Sequence, residues 1–148
     1  MKNIAHSSAP CPCRVRDDVP RSYADCCQPW HAGLALGVHA PSPEQLMRSR
    51  YSAYALAQPG HPQGLDMLRY LEATWHVGTA PSDLELSPTQ WTGLQVLHAH
   101  ASQDAGVVEF VAHFKDGGKA QKLHEVSRFV RSDDGARWLY IDGQIDGA

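Results

Sequence analysis

All four cysteines of this chain lie in one short stretch, "CPCRVRDDVPRSYADCC", as a C-x-C pair at Cys11 and Cys13 and an adjacent pair at Cys26 and Cys27. Structural zinc takes four tetrahedral ligands, often thiolates, at about 2.3 Å. Two short-range pairs in a compact loop can supply such a shell. The segment has few apolar residues, so metal binding would provide the free energy to order it. The pattern therefore predicts a bound metal, with zinc as the cofactor.

Two other interpretations of the cysteines stay open at this point. They could form a redox pair, or they could be unligated thiols in a loose terminus. If four thiolates fill the metal shell, no position remains for water, and the site is structural rather than catalytic. His31, four residues after Cys27, is the alternative ligand should one cysteine of the adjacent pair point away.

Composition places the chain among single-domain globular proteins. It has 148 residues, of which 43% are hydrophobic and 20% are charged, with a formal net charge of -3. This balance argues against nucleic acid as the partner. Arg14, Arg16 and Arg21 could form a local basic patch, but Asp17 and Asp18 lie among them and offset their field.

The sequence shows no apolar run long enough to cross a bilayer, and its opening lacks the apolar core of a secretory signal. We therefore expect a cytoplasmic protein without a membrane partner. Cytoplasmic thiols stay reduced, which favours metal ligation over disulfides.

The helices predicted to position these residues follow a polar terminus over 1–10, expected to fray, and a connector over 28–42. Ser42 should cap a helix over 43–57, with Pro43 at its first position, and its apolar spacing indicates an amphipathic helix. A second helix over 65–75 should carry Leu65, Leu68, Leu71 or Glu72, and Trp75 on one stripe. An irregular crossing follows, with one extended piece, "DLEL" (83–86).

Four alternating, β-branched and aromatic segments then predict strands, and turn signals separate them. They are "WTGLQVLHAHA", "GVVEFVAHFK", "KLHEVSRFVR" and "RWLYIDG". Helices first and a meander afterwards indicate an α+β fold, in which helices cover one face of a curved antiparallel sheet.

Several polar residues on these strands are candidates for a functional role. Glu109 and His113 share one strand face and could act as acid and base, or could simply face solvent. Glu125 is expected to pair with Arg48 or Arg50, of which only one can point inward. Ser127 and His124 lie on opposite faces, so no serine triad forms, and the sequence assigns no catalytic residue. A pocket in the fold would involve Arg50, Tyr54, Glu109 and Glu125.

The cysteine stretch resembles the SEC-C motif, a small zinc module. The C-P-C start, the aromatic residue Tyr23 and the final cysteine pair all match, which implies that the four cysteines are the zinc ligands. The motif's usual glycine-rich basic loop is replaced by "RVRDDVPRS", four residues longer.

Across nearly the whole chain, "CCQPWHAG", "LMRSRYSAYA", "YLEATWH", "WTGLQV", "VEFVAHF", "LHEVSRFVR" and "WLYIDG" together resemble the YchJ family of bacterial proteins. The resemblance implies a SEC-C-like module over 1–33 and, over 34–148, a domain similar to nuclear transport factor 2 (NTF2): a cone of helices packed on a strongly bent sheet. It implies no particular reaction.

The leading functional hypothesis from the sequence is a zinc-stabilised interaction or adaptor protein that contacts a protein partner through the module. The alternative is an enzyme or small-ligand binder with a polar pocket in the cone. Fold alone does not decide between them, and the oligomeric state stays open.

Overall fold

A computed structural model of the chain describes residues 8–58, 62–84 and 89–146. Three helices precede a four-stranded sheet, and three short 3₁₀ helices lie in the N-terminal part. The helices and strands are α1 (Gln28–Gly33), α2 (Pro43–Leu56), α3 (Gly64–Ala73), β1 (Gln90–Ala101), β2 (Ala105–Asp116), β3 (Lys119–Arg131) and β4 (Trp138–Asp146), and the 3₁₀ helices are Pro12–Arg14, Tyr23–Asp25 and Leu34–Leu36. The predicted α+β fold is confirmed.

The sheet is an antiparallel meander in the order β1-β2-β3-β4. Register irregularities interrupt β1 between Trp91 and Gly93 and again between Val96 and His98, and β3 between Arg128 and Phe129. Such irregularities bend a strand and increase its twist. The sheet therefore curves around the helices, as the cone requires.

Strand alternation decides which side chains enter the cone. On β2, Val108, Phe110 and Ala112 are buried, while the residues between them are only half-buried. Ser127 and Phe129 on β3 are buried on the same face. The core therefore lies between this concave face and the helices.

Helix α2 starts as the sequence predicts: Ser42 accepts a hydrogen bond from the backbone N–H of Gln45, with Pro43 in the first turn. The expected amphipathic character is wrong, however, because α2 is buried on nearly every side. Both Arg48 and Arg50 are only 5% exposed. The cysteine segment covers one side of the helix, and α3 and the sheet cover the other.

Helix α3 buries the predicted stripe only in part. Leu71 is buried and Leu68 and Trp75 are half-buried, but Leu65 is 64% exposed. Met67 and Tyr70, which the stripe left out, are buried as well. After α3, Trp75 forms a parallel bridge with Tyr140 of β4, which closes this edge of the cone.

The N-terminal segments also differ from expectation. Ala9 and Pro10 do not fray: the N–H of Tyr23 donates to the carbonyl of Ala9, and Pro10 forms a bridge with Ser22. Residues 1–7 lie outside the described residues. The connector contains α1, and of "DLEL" the described Asp83 and Leu84 form no strand. None of the helices in the described ranges is long and apolar enough to span a membrane.

Candidate functional site

The four cysteine sulfur atoms form one compact cluster, all within 4.8 Å of one another. The Sγ of Cys13 lies 3.7 Å from that of Cys11, 3.5 Å from that of Cys26 and 3.7 Å from that of Cys27, and the last two are 3.9 Å apart. A tetrahedron with metal–sulfur bonds of about 2.3 Å has sulfur–sulfur edges of about 3.8 Å. The cluster therefore has the dimensions of a zinc tetrathiolate, and its separations are far too long for disulfide bonds.

Local hydrogen bonds explain how a longer loop still brings the two pairs together. The N–H of Cys11 donates to the carbonyl of Arg21, next to the Pro10 and Ser22 bridge. Asp17 folds the intervening loop on itself, because its carboxylate accepts from Arg14 and from the N–H of Val19. The extra residues therefore bulge away without separating the pairs.

Most of the cluster is buried, and the pKa values of its thiols differ from one another. Cys11, Cys13 and Cys27 are buried, and Cys26 is half-buried. A hydrogen bond with Cys13 lowers the pKa of Cys11 to about 7. Hydrogen bonds from the three other thiols, with a further one from the Nε of Arg14 at 3.5 Å, hold the pKa of Cys26 far below its usual range. Cys26 is therefore the thiol most ready to ionise.

Helix α2 supplies polar contacts to the cluster. Ser52 donates to the Sγ of Cys27 at 3.3 Å. Arg48 Nη1 donates to the carbonyl of Cys13 at 3.2 Å and lies 3.9 Å from its sulfur. Arg48 Nη2 pairs with Asp17 at 2.9 Å, and its Nε pairs with Glu44 at 3.0 Å. Arg48 thus connects α2, the loop and the cluster.

His31 is not a ligand in this arrangement. Its Nε2 lies 2.8 Å from the carbonyl oxygen of Ser49, and its Nδ1 lies 2.6 Å from the Tyr23 hydroxyl. A carbonyl only accepts, so Nε2 carries the proton and Nδ1 accepts from Tyr23. Both ring nitrogens are therefore occupied, and His31 positions α1 against α2 instead.

A separate cavity of about 210 Å³ lies between α2 and the concave face of the sheet. Its walls are mostly aromatic. The lining residues are Met47, Arg50, Tyr51, Tyr54, Trp75, Trp91, Phe110, Ala112, Leu123, Glu125, Ser127, Phe129 and Tyr140. Three of the four expected pocket residues, Arg50, Tyr54 and Glu125, therefore line one cavity.

Arg50 is the cation of the cavity. Its Nη1 donates to the carbonyl of Leu71 at 2.9 Å and to Oγ1 of Thr74 at 2.7 Å. Its guanidinium carbon lies 4.8 Å from the Trp75 ring centre and 4.7 Å from that of Tyr140. Burial lowers the pKa of this guanidinium. Arg50 is thereby fixed by two hydrogen bonds and two aromatic faces.

Glu125 is the anion of the cavity, and the expected ion pair with an arginine is wrong. Its Oε2 accepts from Ser127 at 2.6 Å and from the Tyr140 hydroxyl at 3.4 Å. Within the described ranges no salt bridge joins Glu125 to either Arg48 or Arg50. The reason is that Arg48 points from α2 toward the cysteines. Arg50 points inward but donates its hydrogen bonds to Leu71 and Thr74.

Glycine at position 143 makes room for this carboxylate. A Cβ at Gly143 would overlap with Oε2 of Glu125. Gly143 faces Ser127 in the β3–β4 register, so the same short stretch provides the hydrogen bond and the space. Residues of the two neighbouring strands β3 and β4 therefore fix the position of Glu125.

Glu109 and His113 do not reach the cavity, which corrects the placement of Glu109 in the pocket. Both project from the opposite side of β2 to Phe110. Glu109 lies 2.7 Å from the Nε2 of His124, and His113 lies 2.8 Å from Gln95. The alternation of a regular strand separates them from the concave face.

Sequence reasoning missed two residues that the structure brings to these sites. Ser52 lies one helical turn after Arg48, and this spacing was a usable signal that it shares the cysteine-facing side of α2. Tyr140 joins Arg50 and Glu125 across the cavity. No local signal marks Tyr140, because its role depends on how β4 packs.

Comparisons with known proteins now define the class. Residues 42–143 match the family described as YchJ, middle NTF2-like domain. The UPF0225 proteins of Bordetella parapertussis and Ralstonia nicotianae are 46% and 45% identical to the chain. These alignments cover 98% and 93% of this chain, and 99% and 92% of the two relatives.

Two solved structures share the fold over most of the chain. The crystal structure of a SEC-C motif containing protein from Psychrobacter arcticus covers 96% of this chain and 85% of that one, with a TM-score of 0.70 and 30% identity. The solution structure of a SEC-C motif containing protein from Rhodopseudomonas palustris covers 90% and 96%, with a TM-score of 0.68 and 32% identity.

Fold and site thus define an NTF2-like cone with a four-cysteine module of the SEC-C type at its N-terminal side. The chain belongs to the YchJ-like UPF0225 family, as the resemblance in its sequence implied. The division into modules at residue 33 stays a prediction.

A first testable prediction concerns His31. Burial lowers its pKa to about 4, from an ordinary value near 6.5. Between these values the unfolded chain binds a proton that the folded chain does not, so stability falls as pH falls through this window. Acidification from pH 7.5 to pH 5 should remove about 2 kcal/mol of unfolding free energy through His31 alone.

The variant His31→Gln can keep both hydrogen bonds but cannot titrate, so its unfolding free energy should depend less on pH. Urea denaturation at both pH values measures this, and the difference from wild type cancels acid effects on the cysteines. The exposed His98→Gln is the matched control. Parallel pH profiles for wild type and His31→Gln would contradict the assignment.

Proposed function

We propose that Cys11, Cys13, Cys26 and Cys27 hold one structural zinc ion. The observation that carries this proposal is the set of sulfur–sulfur distances, which match the edge of a zinc tetrathiolate. Such a shell has no open position, so the metal stabilises the fold and binds no substrate. We place the protein in the cytoplasm, where the thiols stay available for metal.

Two arginines, Arg14 and Arg48, would donate to the sulfur atoms of this centre, and Asp17 and Glu44 pair with them in turn. Four thiolates around a divalent cation leave two net negative charges beside the buried side of α2. Arg14 lies against Cys26 and Arg48 against Cys13, each within hydrogen-bonding distance of sulfur. Donors of this kind stabilise ligands in their ionised form.

The metal content of the protein, purified without a histidine tag, tests the zinc proposal. Elemental analysis and native mass spectrometry should find about one zinc per chain. The double variant Cys26→Ser, Cys27→Ser should lose it, with a lower melting temperature, because two ligands are gone. Asp25→Asn, an exposed neighbour, should retain it. A metal-free wild type with reactive thiols would overturn the proposal in favour of redox chemistry.

Arg48 provides a sharper test of these donor contacts. Arg48→Met keeps much of the side-chain volume but removes the charge and the donor to Cys13. We expect zinc transfer to a chromogenic chelator to become about tenfold faster, at the lower end of effects seen for residues that support metal ligands. Arg69→Met is the matched control, since Arg69 is an exposed arginine on α3. Equal rates for the two variants would show that Arg48 acts only in packing.

We further propose that the cone binds a small ligand. The observation that carries this part is the aromatic cavity of about 210 Å³ with Arg50 and Glu125 in its wall. A mostly apolar concave site with a few fixed polar groups is the usual form of a small-molecule site. The metal module then stabilises the position of α2, and α2 forms one wall of the cavity.

An adaptor role for the module is the second candidate. The loop between the cysteine pairs exposes Val15 and Val19, by 60% and 56%, and a protein partner could contact these apolar side chains. We rank it second because Cys11, Cys13 and Cys27 are buried against the rest of the protein. The module is thus packed into the core of the protein and does not form a separate binding domain.

Fragment binding detected by NMR tests the ligand proposal. Small aromatic compounds should shift the indole resonances of Trp75 and Trp91 in the zinc-loaded chain. Ala112→Leu should abolish binding, because the added side chain enters the cavity. Ala101→Leu, at the exposed end of β1, is the matched control. If no fragment binds wild type, the ligand proposal fails and the adaptor role becomes the better hypothesis.

A further inference from the structure

The guanidinium of Arg50 has one edge, formed by Nε and Nη2, that faces neither Leu71 nor Thr74. Both hydrogen bonds to Leu71 and Thr74 use Nη1. Nε and Nη2 remain, and Arg50 lines the cavity. Burial raises the pKa of the nearby Tyr54 hydroxyl, and a hydrogen bond with Arg50 opposes that shift. A ligand carboxylate would meet this pair of donors beside Tyr54, on a side chain that is 5% exposed.

The geometry of the Nε and Nη2 edge selects a particular acceptor. Nε–H and one N–H of Nη2 point in parallel along the same side of a guanidinium. This fork matches the two oxygens of one carboxylate, which it binds in a bidentate way. The ring centres of Trp75 and Tyr140 lie 4.8 and 4.7 Å from the guanidinium carbon and 5.2 Å from each other, so both rings pack on the same side of the group.

The charge environment also favours an anion. A buried cation is costly unless an opposite charge contacts it. Glu125 contributes only at longer range, since its carboxylate is held by Ser127 and Tyr140 and makes no salt bridge with Arg50 in the described part of the chain. One negative charge on a ligand would complete the pair. A second negative charge would be repelled by Glu125.

The size and walls of the cavity define the rest of the ligand. An apolar cavity of about 150 Å³ is large enough to hold benzene. The 210 Å³ found here therefore has room for one aromatic ring with a small polar substituent. Tyr54, Trp91 and Phe110 present aromatic surface for edge-to-face or offset contact with such a ring.

We infer that the cavity binds a small aromatic monocarboxylate, with its carboxylate on the Nε and Nη2 edge of Arg50 and its ring against the aromatic walls. This inference rests on the proposed ligand-binding function of the cone and names the class of ligand. Glu125 sets the limit of one negative charge and can accept a hydrogen bond from a hydroxyl on the far side of the ring.

Titration calorimetry of the zinc-loaded full chain tests the inference with three matched probes: benzoate, benzamide and benzylamine. These share one ring and differ in charge. Benzoate should bind at least tenfold more tightly than benzamide, and benzylamine should bind most weakly. 4-Hydroxybenzoate should bind more tightly than benzoate, because its hydroxyl can donate to Glu125.

Two variants and a control locate the interaction. Glu125→Gln should tighten benzoate at least threefold, because it removes a repelling charge without changing the shape of the side chain. Arg50→Lys keeps the charge but loses the fork, and should weaken benzoate at least tenfold. Glu109→Gln, on the other face of the sheet, should leave binding unchanged. The Glu125 test requires a gain in affinity, so loss of fold cannot mimic it.

The outcomes separate this inference from the function on which it rests. Equal binding of benzoate and benzamide, both abolished by Ala112→Leu, would overturn the carboxylate class and leave the ligand-binding cone intact. Benzoate binding that Glu125→Gln weakens or leaves unchanged would overturn the assigned orientation. If no aromatic probe binds wild type at all, both the class and the proposed cavity function fail.

Discussion

The burial of two arginines on opposite sides of α2 is the constraint on which the rest of the structure depends. Arg48 and Arg50 lie about 200° apart around a helix, and both are nearly inaccessible to solvent. A buried guanidinium needs polar partners close by. Asp17 and Cys13 provide them on one side, and Leu71 and Thr74 on the other. The N-terminal module and α3 are therefore both required to complete the environment of a single helix.

In the cysteine module, metal ligation by the thiols would take the place of much apolar packing. The module's buried residues are three thiols and Tyr23, and its polar contacts with α2 include hydrogen bonds from Ser52 and Arg48. Without metal, several thiols would share a small volume with strongly shifted and opposing pKa values. With metal, the same geometry becomes a cross-link between two distant loop segments and reduces the entropy that folding must overcome.

Local patterns predicted most elements but not the faces that they bury. The four strands, the cap at Ser42 and the cysteine cluster follow from residue type and spacing alone. The placement of Glu109 was wrong because "GVVEFVAHF" has apolar residues on both faces of β2, so alternation could not tell inside from outside. The expected partner of Glu125 was wrong for a different reason. Arg50 instead donates a hydrogen bond to Thr74, which directly follows α3. No local sequence signal indicates this contact.

The separate anchoring of Arg50 and Glu125 leaves two unlike polar groups in the wall of the cavity. In direct contact the two groups would neutralise each other, and the interior would offer only apolar surface. Tyr140 instead stands between them, with its ring over the guanidinium and its hydroxyl toward the carboxylate. Holding two opposite charges apart inside a protein sacrifices favourable Coulomb energy. Such a local conflict with stability is the usual mark of a site kept for binding, because fixed and incompletely satisfied polar groups are what a ligand recognises.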